Sequence, residues 1–319
     1  MLYLSEAATR EILVLDEVLE IIRQVARWED AGRIGWSVPP TSVLMMAEPR
    51  SRYRLKACAL LPVPVVGIRI IGYPLGKGDD ARSTRFVMLS DPASGEPLAL
   101  IDDHWNYTLR TAASAVVSLT HLAPRRPLAV GMIGSGNLAF AMLLLLRHVG
   151  LLGAVRVTSR RQERREAFAE RAAGELGLEI AAVDSVAEAV AGQDLVVTST
   201  SANARLVEPE WIRPGATICT LGRYELAPAI YRDADKIVVD RWEVAKDVPD
   251  VKELLAEGAL SPERVHAEQH QLITGRKPGR ASEDETIVFR SDGLVSQDVG
   301  IAWTVYRTAL GKGMGQQLD

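Results

Sequence analysis

The 319-residue chain has two cysteines, 5% aromatic residues and almost no charge imbalance, 37 Lys+Arg standing against 41 Asp+Glu for a net charge of −4. Cys58 and Cys219 lie far apart in apolar runs, which excludes a disulfide framework and a cysteine zinc site and fits a reducing compartment. Without a basic excess there is no field to hold nucleic acid or an anionic membrane, so neither is expected as a partner. Long hydrophobic runs are missing too: the longest, around 140–146, falls well short of the roughly 18–20 residues that cross a bilayer. The opening MLYLSEAATREILVLDEVLE mixes acids among its apolar residues and has neither a basic n-region nor a small-residue cleavage site, so it reads as a folded helix and a cytoplasmic protein is expected. Repeats and low-complexity tracts are absent from the pattern. What is plentiful is apolar, 47% of the residues, enough for two cores at roughly 100–200 residues per domain.

Ser5, followed by Ile12, Leu13, Leu15, Val18, Leu19, Ile22 and Val25 at helical spacing, predicts a capped opening helix. From 37 to about 102 the pattern becomes short β-like runs (SVLMM, LKACALL, VVGIRIIGY, RFVMLSD, LALID) broken by Pro, Gly and charged turns. A helix followed by strands with no helices between them implies an antiparallel α+β unit. The Ala-rich stretch RTAASAVVSLTHL (110–122) is helical, and APRRP after it reads as a linker. Strand and helix then alternate: LAVGMI, a helix over 137–148, VRVTS, a helix over 163–176, LEIAAV, AEAVAGQ, LVVTST, ATICTLG and KIVVD. Such alternation implies a Rossmann-type doubly wound parallel sheet with right-handed crossovers, hence an α/β fold. Past Asp240 the signal weakens to mixed helices, a GRKPGR turn, the strand TIVFR and a final helix from about 297.

Gly134-Ser135-Gly136-Asn137-Leu138-Ala139 follows the strand LAVGMI and opens a helix. The first glycine permits the tight turn, the second lets a pyrophosphate approach the backbone, and the small Ala139 lets helix and strand pack closely, so the motif points to a dinucleotide; the alternative is a tight structural turn. Where an NAD site would present an acid to the ribose 2′-hydroxyl, the chain has Ser159-Arg160-Arg161. A hydroxyl and guanidinium groups bind a 2′-phosphate that an acid would repel, which favours NADP(H) with NAD(H) as the second choice. The same arginines also fit a solvated basic helix start. A second cluster, Asn106-Tyr107-Thr108-Leu109-Arg110-Thr111, puts an arginine and hydroxyls at a helix N-terminus and suits a substrate carboxylate or the cofactor pyrophosphate, with a salt bridge as the alternative. His266 and His270, four apart on an expected helix, have no evident third ligand, so no metal is expected. Lys56 and Cys58 read as buried or edge positions of a strand.

Together, VGIRIIGYP (66–74), LSDPASGEPLALIDD (89–103), LRTAASA (109–115), IGSGNLA (133–139), AVAGQDLVVTST (189–200), EWIRPGATI (210–218), ITGRKPGR (273–280) and SDGLVSQD (291–298) resemble the ornithine cyclodeaminase/mu-crystallin family. The resemblance implies a homodimer in which a substrate and dimerisation domain, 1–122 rejoined by 298–319, accompanies a nucleotide domain over 123–297. It also implies hydride transfer between a nicotinamide and the α-carbon of an amino acid or its imine. By the same resemblance Arg110 meets a substrate carboxylate or cofactor phosphate with Thr111 beside it, and 134–138 form the pyrophosphate loop. Ser159 reads the ribose, Thr200 with Ser201 and Leu221 with Gly222 wall the cofactor, and Ser291 and Asp292 stand beside nicotinamide and substrate.

Three departures narrow the chemistry. The family's lysine in a G-x-K strand is Arg69 here, which binds anions but cannot shuttle a proton at neutral pH. The loop after Gly222 is about five residues short and lacks the cyclodeaminase acid; only Arg223 and Tyr224 precede Glu225-Leu226. An arginine of an early strand has no clear counterpart in SVLMMA, although Arg50, Arg52 and Arg54 follow closely. The expected activity is therefore NADPH-dependent reduction of an α-imino acid or ketimine, reversibly amino acid dehydrogenation, which needs only alignment and one proton donor. Arg69, Arg110, Tyr107 and Asp292 are the expected catalytic residues, with Tyr73, Tyr224 and Arg223 nearby. The competing readings are a cyclodeaminase using tightly bound NAD and a non-enzymatic NADP-dependent ligand-binding protein.

Overall fold

The computed structural model describes residues 1–75 and 83–318. They form two compact units, Met1–Thr111 with Leu294–Asp319, and Ala112–Gly293. In chain order the first unit contributes β1 (Leu2–Leu4), α1 (Glu6–Ile12), α2 (Leu15–Asp30), β2 (Ile34–Trp36), β3 (Ser42–Met46), β4 (Ser51–Leu60), β5 (Val65–Pro74), β6 (Thr84–Ser90), β7 (Pro97–Asp102) and the start of α3 (His104–Leu122). The second holds β8 (Leu128–Ile133), α4 (Asn137–His148), β9 (Leu152–Thr158), α5 (Gln162–Leu176), β10 (Ile180–Ala182), α6 (Val186–Val190), β11 (Leu195–Thr198) and β12 (Thr217–Thr220). It continues with α7 (Pro228–Asp233), β13 (Lys236–Val239), α8 (Trp242–Ala245), α9 (Pro249–Ala256), β14 (Val265–Glu268), α10 (Gln269–Ile273) and β15 (Ile287–Arg290). The chain then returns to the first unit as α11 (Val295–Lys312) and β16 (Gln316–Gln317).

In the first unit the strand order is β16-β1-β7-β6-β5-β4-β2, with β3 also on β4. From β7 to β2 and β3 every pair is antiparallel, and β1 joins β7 in parallel. The expected opening helix is two helices, because Leu13 and Val14 take extended dihedrals between them. Both helices bury one apolar face, Ile12 in the first and Val18, Leu19, Ile22 and Val25 in the second, so the periodicity ran on through the break. On β5, buried Val65, Gly67, Arg69 and Ile71 alternate with half-buried Val66, Ile68 and Ile70. Helix α11 packs on β4 and β5, and Gly67 is what lets it come close: a Cβ there would stand 2.2 Å from Val299 Cγ2.

The second unit is one sheet ordered β10-β9-β8-β11-β12-β15-β13-β14, parallel at every pairing. This is the doubly wound Rossmann arrangement that the alternation predicts. Strands β11, β12 and β15 are buried along their whole length, which is why they read as unbroken apolar runs. The order reverses direction at β8, placing a switch point at the carboxyl ends of β8 and β11. The boundary between the units falls inside α3 and not in the linker after it. The second half of that helix is tied into its own unit: Gln269 Nε2 donates to the hydroxyls of Ser114 and Ser118, and Arg280 Nε to the Leu122 carbonyl. Among the described residues, no helix is long and apolar enough to cross a membrane.

Candidate active site

The second unit's loop after β8 is shaped for a phosphate. Gly134 has φ 121°, and a Cβ there would lie 2.7 Å from the Ser199 carbonyl oxygen, so only glycine fits where the loop passes the end of β11. Gly136 caps α4, and no protein atom lies within 4 Å of where its Cβ would stand. That leaves the α4 N-terminus, with Asn137 and Leu138 in its first turn, accessible to a pyrophosphate. The Ser135 hydroxyl donates to the Ser159 hydroxyl at 2.9 Å, tying the loop to the end of β9. Arg160 and Arg161 follow, both exposed, with Arg161 at the N-cap of α5. These residues fit a dinucleotide on geometry alone.

The ends of β11 and β12 are stitched together by Glu225. Its buried carboxylate accepts from the Thr198 hydroxyl (2.6 Å), the Thr220 hydroxyl (3.2 Å) and the Gly222 amide (2.9 Å) at one oxygen, and from the Thr200 amide (2.8 Å) and hydroxyl (2.6 Å) at the other. Thr200 and Gly222 are thus held by a residue that was not itself expected in the site. Leu221 sits between, its amide on the Thr198 carbonyl, and Ser201 is exposed. After β15, Asp240 Oδ2 accepts from the Ser291 hydroxyl and from the amides of Asp292 and Gly293. The Asp292 carboxylate pairs with Arg290, which also forms a bidentate bridge to Asp250. Asp292, expected among the catalytic residues, is thus ion-paired with Arg290. Tyr224, at φ 63°, directs its hydroxyl to Glu253. His266 and His270 do not share a helix: one lies on β14, the other on α10.

The first unit gathers a buried charge cluster. Arg69 Nε donates to Asp103 Oδ2 at 2.6 Å, and its Nη1 lies 3.5 Å from Asp298 Oδ2. Arg110 Nε donates to Asp298 Oδ1. Arg69 and Arg110 are 2% and 1% exposed and both carboxylates 0%, so each charge depends on its partners to remain ionised. The half-buried Tyr107 ring lies under three guanidinium groups, with Arg85 at 4.0 Å, Arg69 at 4.9 Å and Arg110 at 5.2 Å from its centroid. Burial alone would raise the Tyr107 hydroxyl, but Arg85, Arg110 and Arg69 hold it below its ordinary value. Burial and the nearby Asp298 push Asp103 up to about 6 against the pull of Arg69. Lys56, directly across the β4–β5 ladder from Arg69, is also buried. Desolvation, reinforced by Arg54 and Arg69, pushes it down to about 7.

Within this cluster Arg69 Nη2, Arg110 Nη1 and both amide atoms of Asn106 are buried with no hydrogen-bond partner among the described residues. Buried donors in a folded protein are otherwise satisfied, and two guanidinium nitrogens call for a carboxylate-like acceptor. The expected anion site at the α3 N-terminus takes a different form. Asp102 caps that end by accepting from the His104 amide, and the Thr108 and Thr111 hydroxyls donate back to the His104 and Tyr107 carbonyls. At this end of α3 the His104 amide and the Thr108 and Thr111 hydroxyls therefore already have partners within the chain, whereas Arg110 keeps Nη1 without one among the described residues.

The profile of the ornithine cyclodeaminase/mu-crystallin family matches residues 4–313. The chain belongs to this family. It is 29% identical to an alanine dehydrogenase of Archaeoglobus fulgidus over 324 residues, covering 99% of this chain and 98% of that one. Its structure matches the Thermococcus litoralis Δ1-pyrroline-2-carboxylate reductase in complex with NADH and L-proline, with a TM-score of 0.93, 26% identity and full coverage of both chains. An archaeal alanine dehydrogenase, a dimer with bound NAD, matches with a TM-score of 0.92 and 28% identity, over 100% of this chain and 99% of that one. Like these family members, the chain is an NAD(P)-dependent oxidoreductase.

Of the residues expected in this family member's site, Arg69, Tyr107, Arg110 and Thr111 lie in one unit, and 134–138, Ser159, Arg160, Arg161, Thr200, Ser201, Leu221, Gly222, Ser291 and Asp292 in the other. Three residues escaped the sequence reading: Asp103, Asp298 and Glu225. Asp103 and Asp298 close two of the segments that carry the resemblance, and Glu225 belongs to the Glu-Leu pair after the shortened loop. Lys56 is a buried strand position, as read, but its place opposite Arg69 is set by strand register.

Proposed function

We propose that this oxidoreductase reduces an α-imino acid or ketimine with NADPH, and runs in reverse as an L-amino acid dehydrogenase. The observation that carries the reading is the pair of buried guanidinium nitrogens, Arg69 Nη2 and Arg110 Nη1, that have no acceptor among the described residues. A substrate carboxylate satisfies both. Among the described residues the cations Arg54, Arg69, Arg85 and Arg110, with Lys56 partly protonated near pH 7, outnumber the carboxylates Asp103 and Asp298. That excess favours substrates with one or two carboxylates and disfavours a basic side chain such as ornithine's.

When bound, the nicotinamide supplies the hydride. The chain's part is to hold the pyrophosphate on the 134–138 loop, to take the 2′-phosphate with Ser159, Arg160 and Arg161, and to fix the substrate carboxylate so that the reacting carbon is aligned. A screen of NADPH oxidation tests the reading, using cyclic imines and amines paired with pyruvate, glyoxylate, oxaloacetate and phenylpyruvate. Turnover of at least one carboxylated imine is expected. Stoichiometric ammonia release from ornithine or lysine without NADPH consumption would instead indicate a cyclodeaminase, and nucleotide binding with no turnover a binding protein.

A further inference from the structure

We infer that Lys56 is the residue that exchanges a proton with the substrate nitrogen, an assignment that rests on the imine-reductase reading and adds to it. The cluster contains many charges but few groups able to give up a proton near neutrality. Arg54, Arg69, Arg85 and Arg110 stay protonated throughout. Asp298 is held between Arg69 and Arg110, and Asp103, although burial pushes it up to about 6, has its Oδ2 taken by Arg69 Nε at 2.6 Å. Tyr107 lies under three guanidinium groups that favour its anion, which makes it a poor acceptor of the substrate's proton in the oxidative direction.

Lys56 stands apart. The β4–β5 register pairs it directly with Arg69 on the buried face, where opposed Cβ atoms lie about 4.5–5.5 Å apart. A carboxylate bound at Arg69 Nη2 and Arg110 Nη1 therefore brings the α-nitrogen of the same molecule within range of a lysine side chain. Among the described residues, the charged groups that bear on Lys56 include Arg54 on β4, Arg69 on β5, Arg110 on α3 and Asp298 on α11. Desolvation, reinforced by Arg54, Arg69 and Arg110 against Asp298, brings the ammonium's proton release down to about pH 7. An amine with that affinity can act as acid in one direction and base in the other.

In the reductive direction an Nζ–H bond breaks and an N–H bond forms on the imine nitrogen. The C=N carbon then takes the hydride, so the imine gains two electrons and the dihydronicotinamide loses them, and Lys56 regains its proton from water. Replacement by Met keeps the length and apolar stem of the side chain and removes the exchangeable proton.

The test has two readouts. In protein carrying 13Cε-lysine, without added cofactor, the resonance that disappears in Lys56→Met is expected to titrate near pH 7; a midpoint above about 9 overturns the assignment. In the assay, wild-type kcat/KM for imine reduction should fall as pH rises through the same midpoint. Lys56→Met should lose that limb together with about 10²–10⁴ of kcat, with NADPH affinity unchanged and partial rescue by added small amines. Should Lys56→Met fail to fold, Lys56→Arg serves, with charge retained and proton exchange abolished; it is expected to bind substrate and turn over slowly. A variant matching wild type in rate and pH profile would overturn the role of Lys56 alone. A wild type that turns over no imine or amine with either nicotinamide would sink the underlying reading and this step with it.

Discussion

At the scale of the residue, the site is a set of arginines assigned different tasks by their acceptors. Arg290 has four bonds to two carboxylates and a further hydrogen bond with Tyr231, whereas Arg69 and Arg110 each keep one buried nitrogen without a partner among the described residues. Arg110→Lys is expected to fold normally and to lose about ten- to a hundredfold in kcat/KM, because an ammonium cannot hold Asp298 and a carboxylate in the same plane; steady-state kinetics beside thermal unfolding would show it. Lys56 also leaves a mark on stability. Its folded pKa of about 7 lies below the ordinary 10.5, so between those values the unfolded chain binds more protons and stability rises with pH. The expected result is an increase in Tm from pH 7 toward 10 that is reduced in Lys56→Met. Neither cysteine enters this chemistry: burial pushes the thiols of Cys58 and Cys219 up, away from thiolate.

At the scale of the element, two glycines decide how close backbones come. Gly67 admits α11 to the β5 face and so delivers Asp298 to Arg69. Gly67→Ala would force that helix outward and should cost about 1–3 kcal/mol of stability by overpacking, read by chemical denaturation, with activity falling as well because the Asp298 bridge is disturbed. Under the proposed function, the turn from β9 into α5 carries the cofactor choice. Arg160→Asp is expected to raise the KM for NADPH far more than that for NADH; equal effects on both would refute the 2′-phosphate reading. The glycine loop, the alternating second half and the Ser159-Arg160-Arg161 turn were legible in the sequence because each is a local signal, complete within one strand–turn–helix. The break between α1 and α2 was not, since the two helices share one buried face and the period carried across it.

At the scale of the whole molecule, β3 is the feature that the separate chain does not account for. All five of its residues are exposed, among them Val43, Leu44 and Met45 at 57%, 55% and 59%, and among the described residues β3 pairs with β4 alone. An exposed apolar edge strand is an aggregation hazard unless covered. Leu44→Lys with Met45→Glu should lower any self-association of the protein seen in sedimentation experiments while far-ultraviolet circular dichroism stays unchanged.

What the sequence determined by itself was the doubly wound nucleotide unit, its phosphate loop and the presence of arginines suited to anions, because these rest on periodicity and turn chemistry within short segments. Only the tertiary structure decided which arginines retain free donors, that Glu225 joins two strand ends, and that Lys56 stands beside Arg69. Those facts depend on strand register and on a helix from the far end of the chain. Neither leaves a local trace, since the partners of a buried charge are chosen by packing.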